Sequence, residues 1–144
     1  MTLGTPERAA CEELACTPRG EFPGIQRFIP PVHEPQLLAF EALFRSIRDI
    51  PLTVSDPSVG LAKLGWWQKE LVQAATGGSQ HPVVRAMIET GALDRLDPDC
   101  FNAYLHGLMM QLHDTCLNTT AELEATLRET AGKEAQLLTG SPPP

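Results

Sequence analysis

The stretch RDIPLTVSDPSVGLAKLGWWQKEL, Arg48 to Leu71, decides the fold. Its aspartates, Asp49 and Asp56, are seven residues apart and would share one face of a continuous helix, where two carboxylates could hold a metal ion. Pro51 breaks such a helix between them. Asp56 stands directly before Pro57, where its carboxylate can accept first-turn N–H groups as an N-cap. Leu61, Leu64, Trp67, Leu71 and Ala75 then recur at helical spacing, and Gly77-Gly78 ends the run. The two aspartates therefore read as one helix end and one helix start. A carboxylate at a helix C-terminus opposes the macrodipole, and Arg45, one turn earlier, is the expected partner of Asp49.

The same grammar runs outward in both directions. Glu34-Pro35, Asp56-Pro57, His81-Pro82 and Asp97-Pro98 each precede an apolar-periodic run, and proline is tolerated in a first helical turn. Leu37, Phe40, Phe44 and Ile47 predict a helix from about Pro35 to Asp49. A short helix is expected from Pro82 to about Thr90, with Val83, Val84, Met87 and Ile88 buried and Gly91 as its stop. Another is expected from Pro98 to about Asp114, burying Phe101, Leu105, Leu108 and Leu112. Thr119 and Glu122 have capping-box spacing for a last helix that ends at Gly140. No segment alternates with period two, so the expected fold class is all-α. Residues 1–23 read as a polar, poorly ordered stretch, 24–140 as the helical domain, and 141–144 (SPPP) as a disordered tail.

The chain has 144 residues, enough for one domain with a modest core. A formal net charge of −7, with Lys and Arg scattered, disfavours a nucleic-acid surface. No secretory signal is visible, and no apolar stretch is long enough to span a bilayer. A cytoplasmic protein is expected. Cys11, Cys16, Cys100 and Cys116 lack the paired spacing of a zinc site, and Cys100 and Cys116 read as small core residues. Nothing beside Cys116 in sequence would activate it as a nucleophile.

Several pieces, read in order, resemble the squalene/phytoene synthase family of head-to-head prenyl synthases. LLAFEALFRSIRDI resembles the helix that ends in F-C-R-x-x-D-D-x-x-D, and KLGWWQKEL resembles K-L-x-W-W-R-x-E-L. HPVVRAM resembles H-P-V-x-x-A-L. FNAYLHGLMMQL resembles the helix carrying G-M-x-x-D-L, and TAELEATLRETAGKEAQLL resembles L-x-x-Y-x-x-x-x-A-G-x-V-G. Order and spacing agree from about Gly24 to Leu138. The resemblance implies a terpenoid synthase-like helical bundle, here only the front half of a family domain.

It also implies a function and a departure from it. Family enzymes bind Mg²⁺ through two aspartate-rich motifs, and the ions hold prenyl diphosphates whose developing charge must be neutralised. On the first motif, Arg48 falls at the first aspartate, Asp49 at the second and Leu52 at the last; only Asp49 matches. Gln111 stands at the aspartate of G-M-x-x-D-L, Gln68 at the arginine of W-W-R-x-E-L, and the second aspartate-rich motif lies beyond the chain. By resemblance Arg45, Asp49 and Trp67 are the substrate-binding candidates, Asp49 the candidate metal ligand, and no residue is assigned to catalysis. The expectation is a family protein without catalytic activity as this chain. The alternative is a non-catalytic assembly or binding factor on the same fold, similar to complex I assembly factors of that family.

Bland readings stand beside these. Adjacent on a helix, Trp66 and Trp67 point in different directions, so one is expected in the core and the other at a boundary. His106 and His113, spaced i, i+7, read as structural or exposed rather than as a metal pair. Asp114 beside His113 reads as part of a local network. The stripes on Leu61, Leu64, Trp67 and Leu71 and on Phe101, Leu105, Leu108 and Leu112 offer more apolar surface than one small bundle covers. Self-association, or a protein partner supplying further helices, is therefore expected.

Overall fold

A computed structural model describes residues 3–18, 20–113 and 117–140. Among them the regular structure is helical and no strand occurs. The order is α1 (Thr5–Ala15), α2 (Phe22–Gln26), α3 (Glu34–Arg48), α4 (Ile50–Thr53), α5 (Pro57–Ala74) and α6 (Pro82–Glu89). A 3₁₀ turn (Leu93–Arg95) then leads to α7 (Pro98–His113), α8 (Thr120–Leu127), a π-helical segment (Arg128–Gly132) and α9 (Lys133–Thr139). Asp114, Cys116 and the tail 141–144 lie outside the described residues.

The X-Pro steps act as expected. Asp56 Oδ1 accepts from the Ser58 N–H at 2.8 Å and from its hydroxyl at 2.7 Å, so the carboxylate caps α5. These bonds to Ser58 hold the Asp56 carboxyl below its ordinary value. Asp97 repeats the device at α7, accepting from the Asp99 N–H at 3.0 Å. The capping box forms: Glu122 N–H donates to Thr119 Oγ1 at 3.1 Å, and Thr119 N–H to Glu122 Oε2 at 3.2 Å. Gly77, Gly91 and Gly140 all have positive φ, the left-handed conformation that ends a helix without a Cβ penalty.

The chain divides into two compact units. One comprises Met1–Ile47 and Lys69–Asp94. Here α1 packs on α6, although the sequence reading expected an irregular stretch over residues 1–23. The signal was weak because only Glu7, Cys11 and Ala15, small or polar and spaced i, i+4, face inward. Polar ties hold α1: Arg85 Nη2 lies 2.9 Å from Glu7 Oε1, and Gly4 N–H donates to Glu89 Oε2 at 3.0 Å. Arg8 grips Glu34 through Nη1 at 3.1 Å and Nη2 at 2.7 Å, and Gln26 Nε2 adds a bond at 2.8 Å. Of the α6 residues expected inside, Val83, Val84 and Met87 are fully buried, but Ile88 is 39% exposed, at the flank of the buried face.

The other unit comprises Arg48–Gln68 and Arg95–Pro144. In it α4 packs on α7, and α7 packs on α9 and the π segment. Gly60 admits Leu112 of α7: a Cβ there would lie 2.7 Å from Leu112 Cδ1. Leu64, Trp67, Phe101, Leu105 and Leu108 are all buried. Leu71 of the first unit is buried too, while Leu61 and Leu112, the remaining members of the two stripes, are half-buried. Gly107 of α7 likewise admits the backbone of Glu129, 2.7 Å from where a Cβ would stand.

Candidate functional site

The α3–α4 junction carries the residues that the sequence singled out. Asp49 follows the end of α3 and precedes α4, in αR conformation with φ −80° and ψ −9°. Its carbonyl accepts from the Leu52 N–H at 3.1 Å, the Thr53 N–H at 3.0 Å and the Thr53 hydroxyl at 2.8 Å. Leu52 points outward, 80% exposed.

Arg48 is tied inward. Its Nη1 donates to Glu134 Oε1 at 2.8 Å, while Glu134 Oε2 accepts from the Tyr104 hydroxyl at 3.1 Å. Both oxygens of one carboxylate are thus engaged by a cation and a phenol. Glu134 retains 13% side-chain exposure and Tyr104 1% overall, while the Arg48 side chain is 38% exposed, so the acceptor and the phenol are buried and the guanidinium reaches solvent. Burial pushes the Tyr104 phenol far above its ordinary value, and the charge and hydrogen bond of Glu134 push it further; Arg48 opposes and Asp49 adds slightly. The phenol therefore stays a proton donor throughout the physiological range. The same interactions place Asp49 within electrostatic reach of Tyr104. Sequence reading missed Tyr104 and Glu134, which come together from α7 and α9; a lone buried-type tyrosine and an i, i+30 carboxylate leave no periodic signal.

The remaining candidates make contacts of their own. Arg45 belongs to the first unit, where Nη2 donates to Thr17 Oγ1 at 3.3 Å. Trp67 is 6% exposed and meets Trp66, 45% exposed, edge-to-face at 5.1 Å: one ring inside and one at the boundary. Gln68 Nε2 donates to Asn102 Oδ1 at 3.1 Å, a neutral tie. His106 and His113 are exposed.

The donor set at the α3–α4 junction does not fit Mg²⁺, which takes oxygen ligands and tolerates no cation among them. Arg48 brings a guanidinium, Leu52 an aliphatic chain, and Asp49 supplies one carboxylate. Among the described residues no group of three or more His, Cys, Asp or Glu side chains could hold a metal ion.

The described residues define the class as all-α, which the family match makes terpenoid synthase-like. The sequence model of the family described as squalene/phytoene synthase matches residues 20–141, most of the chain, and the chain belongs to that family. Comparisons with curated proteins and with solved structures gave no match.

Proposed function

We propose that this chain is a squalene/phytoene synthase-family protein that does not condense prenyl diphosphates. The observation that carries the reading is the closed Arg48–Glu134–Tyr104 network. Arg48 stands where the family pattern has its first aspartate, and Glu134 where A-G-x-V-G has its valine. A carboxylate and an apolar residue have become a cation and a carboxylate that satisfy each other. Gln111 and Leu52, at two further aspartate positions, bring no charge. A diphosphate leaves only if its developing charge is neutralised, and these residues offer no means of holding the magnesium that would do so. The resemblance assigns substrate to Arg45 in the first unit and to Asp49 and Trp67 in the second.

Incubation of the chain with farnesyl or geranylgeranyl diphosphate and Mg²⁺, followed by extraction, tests this. No squalene, phytoene or cyclopropyl intermediate above a no-protein control is expected; any such product overturns the reading.

The second reading, a binding or assembly factor on the same fold, is favoured by exposed apolar side chains. Phe28 and Val32 are each 78% exposed in the first unit, and Leu123 and Leu127 are 43% and 51% exposed in the second. Such surface is what self-association or a protein partner would cover. Among the described residues no helix is long and apolar enough to cross a membrane, and the acidic composition suits a cytoplasmic protein. Sedimentation velocity of the purified chain separates the outcomes: association with concentration supports this reading, and a monomer at all concentrations restricts it to a heterologous partner.

A further inference from the structure

Within the second unit, α7, α8 and the π segment line a half-open pocket of about 540 Å³. Small-molecule sites commonly span ~300–1,000 Å³. Its base is a close approach of backbones: a Cβ on Gly107 would lie 2.7 Å from the Glu129 carbonyl oxygen. Glu129 sits in the π segment, where the widened turn displaces the backbone; such insertions recur at functional sites. The walls are apolar, from Met110, Leu117 and Ala125, with Met110 and Leu117 48% and 46% exposed.

The polar lining is selective. It comprises Glu129, Gln111, His106 and Thr126, with Glu129 and His106 themselves exposed, and no lysine or arginine is among the described lining residues. An anionic head group would meet the Glu129 charge with no cation in the described lining to offset it. An ammonium head would find a carboxylate and an amide oxygen as acceptors, and charge-assisted bonds of that kind are about twice as strong as neutral ones.

We propose that this pocket binds an aliphatic amine, its chain along Met110, Leu117 and Ala125 and its ammonium against Glu129. The proposal goes beyond the functional reading above and holds whether or not the chain turns over prenyl diphosphates.

Calorimetric titration of the full chain with decylamine, decanol and decyl phosphate, each below its micelle concentration, tests it. One saturable site for decylamine is expected, with decyl phosphate weaker by about tenfold or more. Glu129→Gln should lower decylamine affinity about fivefold or more and decanol affinity by less, since only the amine loses an ion pair with its hydrogen bond. Glu124→Gln, an exposed carboxylate outside the lining, should change neither, which separates the pocket from general attraction to an acidic protein. Ala125→Trp should abolish binding of decylamine and decanol by filling the space. Should Ala125→Trp fail to fold, the Glu129→Gln and Glu124→Gln pair decides alone. Absence of saturable decylamine binding, decyl phosphate binding as tightly, or equal losses in Glu129→Gln and Glu124→Gln would overturn the proposal.

Discussion

The Arg48 guanidinium lies 2.8 Å from the Glu134 carboxylate, and the other oxygen of that carboxylate accepts from the buried Tyr104 hydroxyl. This geometry ranks three substitutions. Glu134→Gln keeps an acceptor for Tyr104 and loses an ion pair whose cation is 38% exposed, so it costs under ~1 kcal/mol. Tyr104→Phe removes a buried hydrogen bond and costs about 0.5–1.5 kcal/mol. Arg48→Asp restores the aspartate of the family pattern but sets a carboxylate against Glu134, and costs the most, about 1–3 kcal/mol. Urea unfolding measures all three. Arg48→Asp at or above wild-type stability would mean that the pair holds nothing together.

Gly107 and Gly65 predict opposite effects of one methyl group. Alanine in a helix gains ~1 kcal/mol over glycine from propensity alone. At Gly65 nothing lies within 4 Å of the added Cβ, so Gly65→Ala should stabilise by roughly 0.5–1 kcal/mol. At Gly107 the Cβ meets backbone at 2.7 Å, and the overpacking penalty of ~1–3 kcal/mol outweighs the propensity gain. Thermal melts of the two variants should shift in opposite directions.

The hold of Arg8 on Glu34 makes the first unit acid-sensitive. Burial alone would raise the Glu34 carboxyl, but hydrogen bonds from Arg8 and Gln26 outweigh it, and the group sits below its ordinary value of 4.5. A depressed carboxylate contributes stability that is present above the unfolded pKa and lost as pH falls through the folded one. His81 adds to this at milder acidity: burial lowers it from 6.5 against the opposing charge of Glu70, so protonation on falling pH also favours unfolding. Stability should therefore decline in two stages, first below about 6.5 and again below about 4.5. Glu34→Gln should shrink the lower stage and leave the upper one in place, as read from urea midpoints against pH.

Much of the helical framework was legible because its signals are local. Asp56, Asp97, Thr119 and the positive-φ glycines each act within one turn, and the structure places their helix ends where the sequence does. Helix α1 was missed because its inward face is Glu7, Cys11 and Ala15, and its attachment depends on ion pairs to residues far along the chain. The π segment was missed for a related reason: Gly107 fits the displaced backbone of Glu129, a relationship between two helices that neither sequence reveals alone. At the candidate site, Arg48 stood out as a misplaced cation. What it pairs with, Glu134, lies 86 residues away and carries no motif.

The most direct test of the central claim, that the α3–α4 junction is a closed polar network rather than a magnesium-diphosphate site, is calorimetric titration. Mg²⁺ would be titrated into the chain alone and with inorganic pyrophosphate present, in wild type and in Asp49→Ala. With one carboxylate beside a guanidinium and Mg²⁺ reluctant to shed its waters, no saturable site attributable to Asp49 is expected. A stoichiometric Mg²⁺ site that disappears in Asp49→Ala would contradict the account.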